Sequence, residues 1–123
     1  MTIDEGYMNL RNAIYQLAAD DFINAILDGD KSAERENEKF LTSGAYLFDR
    51  NAGKLIVDNC RNAIKKAQTI IDEFLQNPLK RIQIHENDLT REIMKRIIRR
   101  EYSKQMRLSF DKYNHKCFLI WKG

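Results

Sequence analysis

From Asp4 to Asp28 the apolar residues Tyr7, Leu10, Ile14, Leu17, Ala18, Phe22, Ala25 and Ile26 recur at the spacing that gathers side chains on one face of an α-helix. Gly29 should stop it. A short second helix is expected from about Ser32 to Leu41, because Asp30 or Ser32 can accept hydrogen bonds from its first turn and Glu34, Glu36 and Glu38 favour its positive end. Ser43-Gly44 interrupts the pattern. Asp49 then offers a cap for a long helix whose apolar stripe is Ala52, Leu55, Ile56, Cys60, Ala63, Ala67, Ile70, Ile71 and Phe74. That helix should close at Asn77-Pro78, since a proline disfavours helical backbone in the residue before it. At ~1.5 Å per residue it would run roughly 40 Å.

Beyond Pro78 the period changes. Ile82 and Ile84 alternate with Arg81, Gln83 and His85, which predicts a short strand over 80–85. Asn87 or Asp88 can cap a fourth helix to about Lys104, with Leu89, Ile93, Met94, Ile97, Ile98 and Tyr102 as its apolar side. Two strand-like runs follow, 106–111 and 116–122, joined through Lys112-Tyr113-Asn114-His115 as a hairpin. In the first, Met106, Leu108 and Phe110 share a face; in the second, Phe118, Leu119, Ile120 and Trp121 are apolar on both faces, the pattern of a central or doubly covered strand. A sheet with 116–122 in the middle lets the helical crossover join two parallel outer strands.

The fold class is therefore α+β in a single domain. Residues 1–77 form a mainly helical part with a long central helix, and residues 78–123 form a β-α-β-β unit with a small three-stranded sheet. With 43% apolar residues and one proline in 123, the composition is that of a globular chain able to bury a core. Cys60 and Cys117 are far apart and belong to no spaced pair, as expected of reduced thiols. The first residues carry neither a basic lead nor an apolar run, no stretch is long enough to cross a bilayer, and a cytoplasmic protein with no membrane partner is expected.

Charge divides by position. Residues 1–60 hold 6 Lys+Arg against 11 Asp+Glu, a net of −5, and residues 61–123 hold 15 against 7, a net of +8. Such asymmetry suggests a nucleic acid or nucleoprotein partner. On the fourth helix Arg91, Lys95 and Arg99 are spaced to form one ridge, with Arg96 and Arg100 alongside it, as phosphate binding requires. The plainer alternative is a solvated face partly neutralised by Glu92 and Glu101. Arg107 could share a sheet face with Phe118 and Ile120, a platform for unpaired bases, unless that face lies under a helix and Trp121 is simply core. In the acidic part, Asp20, Asp21, Asp28, Asp30 and Glu34 could imitate nucleic acid toward a basic protein, or serve only as caps and solvent-facing carboxylates.

Other chemistries find little in the chain. His115 and Cys117 would face the same way on a strand, yet no second pair completes a zinc set, and no metal or cofactor is expected. There is no G-x-S-x-G, no phosphate-cradling glycine loop and no H-E-x-x-H, so no catalytic residue is assigned. A winged helix-turn-helix needs two helices between first strand and wing, whereas 87–104 has room for one.

Phe40-Leu41-Thr42-Ser43, Tyr46, Asp49, Gly53, Leu55 and Ile56 resemble a segment common in small phage and prophage proteins, in which aromatics and a serine precede an acidic-glycine turn opening a helix with Leu-Ile. Leu41 stands where the second aromatic would be, Ala45 where a tryptophan would be, and Gly53 comes one residue early. The resemblance implies a phage or mobile-element origin and action by binding nucleic acid or host machinery, such as CRISPR effectors and other defence nucleases. The leading expectation is a non-enzymatic phage-type protein engaging a host nucleoprotein or defence complex. The alternative is a small DNA- or RNA-binding regulator using the basic helix 88–104.

Overall fold

Gly29 ends the first helix as its lack of a side chain permits. Its φ of 71° is left-handed, and the turn closes with Gly29 N–H donating to the Ile26 carbonyl at 3.1 Å and Asp30 N–H to that of Ala25 at 3.0 Å. Asp30 then caps the next helix, its Oδ1 accepting from Ala33 N–H at 3.0 Å. The computed structural model describes residues 3–43 and 50–123, with side chains from residue 12 onward. The expected Asp49 cap and the middle of the phage-like segment lie outside the described residues.

The elements are α1 (Ile3–Leu27), α2 (Lys31–Thr42), α3 (Arg50–Gln76), β1 (Arg81–Ile84), α4 (Asp88–Ile97) continuing into a π-helical turn (Ile98–Tyr102), β2 (Met106–Asp111) and β3 (Lys116–Trp121). This is the α+β arrangement expected, with a helical N-terminal part and a small sheet. Its contacts gather into two compact units divided within α3, residues 1–61 and 62–123.

In the first unit α1 and α2 pack against each other, and Phe22, Ile23 and Leu41 are each at most 1% exposed. The opening of α3 approaches the end of α2 so closely that a Cβ on Gly53 would collide with the Leu41 carbonyl. Arg61 binds Glu38 through both terminal guanidinium nitrogens, Nη1 and Nη2, at 2.6 and 3.1 Å, reaches Glu34 at 3.5 Å, and lies 5.3 Å from the Phe22 ring centroid. One side chain thus ties α3 to α2 and α1. Among the described residues of the expected stripes, Leu17 and Leu55 face water instead, at 66% and 61% exposed. Along α3 the buried positions are Gly53, Val57, Cys60, Ala63, Ile64, Ala67, Ile71 and Phe74; all but Ala63 follow alternating steps of four and three, and Leu55 falls opposite that seam.

In the second unit the sheet order is β1-β3-β2, with both outer strands antiparallel to β3 and hence parallel to each other. α4 supplies the crossover, as expected. Asn87 caps it, Oδ1 accepting from Thr90 N–H at 2.9 Å, and Ile93, Met94, Ile97 and Ile98 turn inward. Register places Ile82, Leu119 and Leu108 in one row and Ile84, Cys117 and Phe110 in the next. That face packs on the helices: Met106 and Leu119 are fully buried, and Trp121 meets Phe74 of α3 edge to face at 6.0 Å.

β3 is the central strand, as one of the two readings had it, but the opposite face is not covered, which corrects the other reading, that of a strand sandwiched on both sides. Phe118 and Ile120 remain partly exposed, with Arg81, Gln83 and Arg107 exposed around them. Because β3 lies between two strands, its apolar outer face needs no second layer to satisfy its backbone. Trp121 is half-buried at the rim of the core.

Candidate functional site

The ridge on α4 forms, and its cations divide by what surrounds them. Arg91 pairs with Asp88 one turn earlier and lies 5.7 Å from the Phe110 ring centroid, so its charge is partly met within the fold. Arg96 Nε donates to Glu92 at 3.4 Å, and the Arg96 carbonyl accepts from Arg100 at 3.5 Å. The Glu92 contact keeps the Arg96 side chain along its own helix, and that side chain is 18% exposed. Lys95 and Arg99 differ: both are exposed, and neither has a carboxylate within ion-pair distance among the described residues.

Lys95 and Arg99 meet Arg107 and Lys122 around a shallow groove of about 210 Å³, floored by Ile98, Met106 and Leu108. Three elements build it. α4 and its π turn bring Lys95 and Arg99; β2 brings Arg107; and the end of β3 brings Lys122, whose N–H donates to the Gln105 carbonyl at 2.7 Å and whose Nζ donates to that of Ser103 at 2.8 Å. Among the described residues no carboxylate lines this groove. A second groove of about 280 Å³ continues past Lys95 and Leu108 to Arg91, Phe110 and Cys117, with Asp88 and Glu92 at its margin. Phe110 is 51% exposed there, and beneath it burial pushes the Cys117 thiol up, against a smaller downward pull from Arg91.

Of the residues expected to bind, the structure unites Lys95, Arg99 and Arg107, places Arg91 beside them in the adjoining groove, and leaves Arg96 and Arg100 out of both. Lys122 was missed because its place depends on β3 ending next to the last turn of the helical segment, a tertiary fact. Several of the acidic residues already have partners within the fold. Asp30 is a cap, Glu34 binds Lys31 at 3.8 Å as well as Arg61, Asp20 and Asp28 have partners of their own, and Asp21 is exposed. The cap reading accounts for Asp30.

His115 and Cys117 do not face the same way on one strand. His115 sits in the hairpin turn at φ 52° and is exposed, whereas Cys117 is buried in the core face. Among the described residues no three of His, Cys, Asp or Glu cluster closely enough to hold a metal ion, and no helix is long and apolar enough to cross a membrane. No family model, curated protein or solved structure matches this chain.

Proposed function

We propose that this chain is a non-enzymatic accessory protein that binds nucleic acid, bare or held in a host nucleoprotein, with the phosphate backbone along the groove of Lys95, Arg99, Arg107 and Lys122. One observation carries the reading: three of these cations, Lys95, Arg99 and Arg107, converge without a carboxylate to neutralise them among the described residues. Each phosphate they meet releases condensed counterions, which gives affinity without sequence readout. An apolar floor between cations lowers the local dielectric and strengthens each contact.

The expected partner class, a phage-type target such as a defence complex, draws support from the division of charge between the units. Residues 62–123 hold 14 Lys+Arg against 7 Asp+Glu, and residues 1–61 hold 7 against 11. The basic unit is the one that would face nucleic acid or an acidic protein surface.

The test is binding of labelled DNA and RNA at low and moderate salt, with the Lys95→Ala/Arg99→Ala double variant beside the parent chain. Binding that weakens steeply with salt and falls by an order of magnitude or more in the double variant supports the reading. No binding to any nucleic acid would remove it. A pull-down from host lysate with and without nuclease then separates a protein target from a nucleic-acid tether.

A further inference from the structure

The sheet turns one face toward α4 and presents the other to solvent. Across that outer face Arg81, Ile120 and Arg107 form one row and Gln83, Phe118 and Ser109 the next, with Lys116 opposite Asp111 beyond them. None of these side chains is buried. An aromatic and an isoleucine along the middle strand therefore form an apolar strip whose flanks are polar or cationic. Core packing does not call for such a strip, and covering it would be favourable.

Charge narrows the occupant. Arg81, Arg107 and Lys116 are cations; the one carboxylate of the face, Asp111, is spent on the hairpin turn. Its Oδ1 accepts from Tyr113 N–H at 3.0 Å and Asn114 N–H at 3.3 Å, and its Oδ2 from Asn114 Nδ2 at 2.8 Å. The face is complementary to a polyanion. The flat groups on it narrow the choice again. Arg81 lies over the Phe118 ring, 4.7 Å from its centroid, so a flat cation already rests on the π face that a planar partner would take up, with the guanidinium moving aside to cover it. Directly cross-strand neighbours stand ~5 Å away, which sets Gln83 and Ser109 at the edges of any ring lying on Phe118, where an amide and a hydroxyl can meet base edges.

Resting on the nucleic-acid reading above, we infer that this face is a stacking platform for unpaired bases, so that the nucleic acid bound is single-stranded. A base slides between Phe118 and the Arg81 guanidinium, which stacks on planar rings as well as pairing with phosphate. In a duplex the base faces are already stacked on one another and only phosphates are presented. Arg107 belongs to the outer face and also lines the groove, so a strand whose phosphates follow Lys95 and Arg99 reaches the platform without a gap.

The experiment is fluorescence anisotropy with short labelled DNA and RNA oligonucleotides, single-stranded and duplex, on the full chain. Phe118→Leu keeps an apolar side chain in the sheet and removes the ring; Phe118→Tyr keeps the ring. Single strands are expected to bind more tightly than duplex, and Phe118→Leu to weaken single-strand binding by roughly ten-fold while leaving duplex binding unchanged. Phe118→Tyr should retain the parent affinity, and the emission of Trp121, on the opposite face, controls for folding. Equal affinity for single strand and duplex, or no effect of Phe118→Leu, overturns the platform; if Lys95→Ala/Arg99→Ala still abolishes binding, the groove reading survives that result. No binding to any nucleic acid overturns both and leaves the face to a protein partner.

Discussion

Arg61 does more with one side chain than its half-exposed position suggests. Its two-nitrogen hold on Glu38 keeps that carboxyl below the usual glutamate range, mainly through the hydrogen bonds, with burial opposing and the Arg61 charge assisting. A carboxyl whose folded pKa lies below its unfolded value stabilises the fold at neutral pH. That contribution is lost as pH falls through the ordinary glutamate value, about 4.3, toward the folded one. Glu38→Gln should therefore cost about 1 kcal/mol at neutral pH, the scale of an exposed pair with good geometry, and flatten the loss of stability below about pH 5. Urea unfolding across that pH range measures both. Curves for parent and variant that superimpose would show that the clamp contributes nothing.

At the level of elements, Gly53 shows how a helix position can require the residue that helix propensity disfavours. Glycine inside a helix costs about 1 kcal/mol relative to alanine, so Gly53→Ala on an isolated helix would stabilise. Here the new methyl would meet the Leu41 carbonyl, a backbone atom that cannot swing aside. The substitution should instead destabilise by roughly 2 kcal/mol, read as a lower urea midpoint with an unchanged slope. A rise in the midpoint would mean that α2 and α3 sit further apart than described. Neighbouring elements differ in how far their residues announced them. Asp30 and Asn87 act locally, three residues from the N–H groups they cap, and so did the switch to alternating Ile82 and Ile84. Leu55 was misplaced because a small stripe of Ala52, Leu55 and Ile56 outweighed the true seam, which opens on Gly53 and shows no apolar side chain there. Nothing in Ile98–Tyr102 marks it as a π turn. Arg61 escaped notice because its partners lie 23 and 27 residues away.

On the scale of the whole molecule, net charge is the wrong measure of how strongly nucleic acid should be held. The chain totals +3, and Arg96 and Arg99 each contribute one unit to it. They differ in where that unit is delivered. Arg99 lines the groove without a carboxylate partner among the described residues, whereas Arg96 is held by Glu92 outside it. The sequence showed the ridge from Arg91 to Arg99, since helical spacing is local. It could not show which of its cations a carboxylate would hold, because Glu92 at i−4 and Asp88 at i−3 become partners only once side-chain geometry is set. If four cations of the groove each meet a phosphate, log K should fall with log salt at a slope of about −3 for single strands. Arg99→Ala should reduce that slope by a little under one unit, while Arg96→Ala, identical in its effect on net charge, leaves it unchanged. Titrations at several salt concentrations decide the matter. Equal slopes for the two variants would mean that attraction comes from the overall field of the basic unit and not from phosphates seated in the groove.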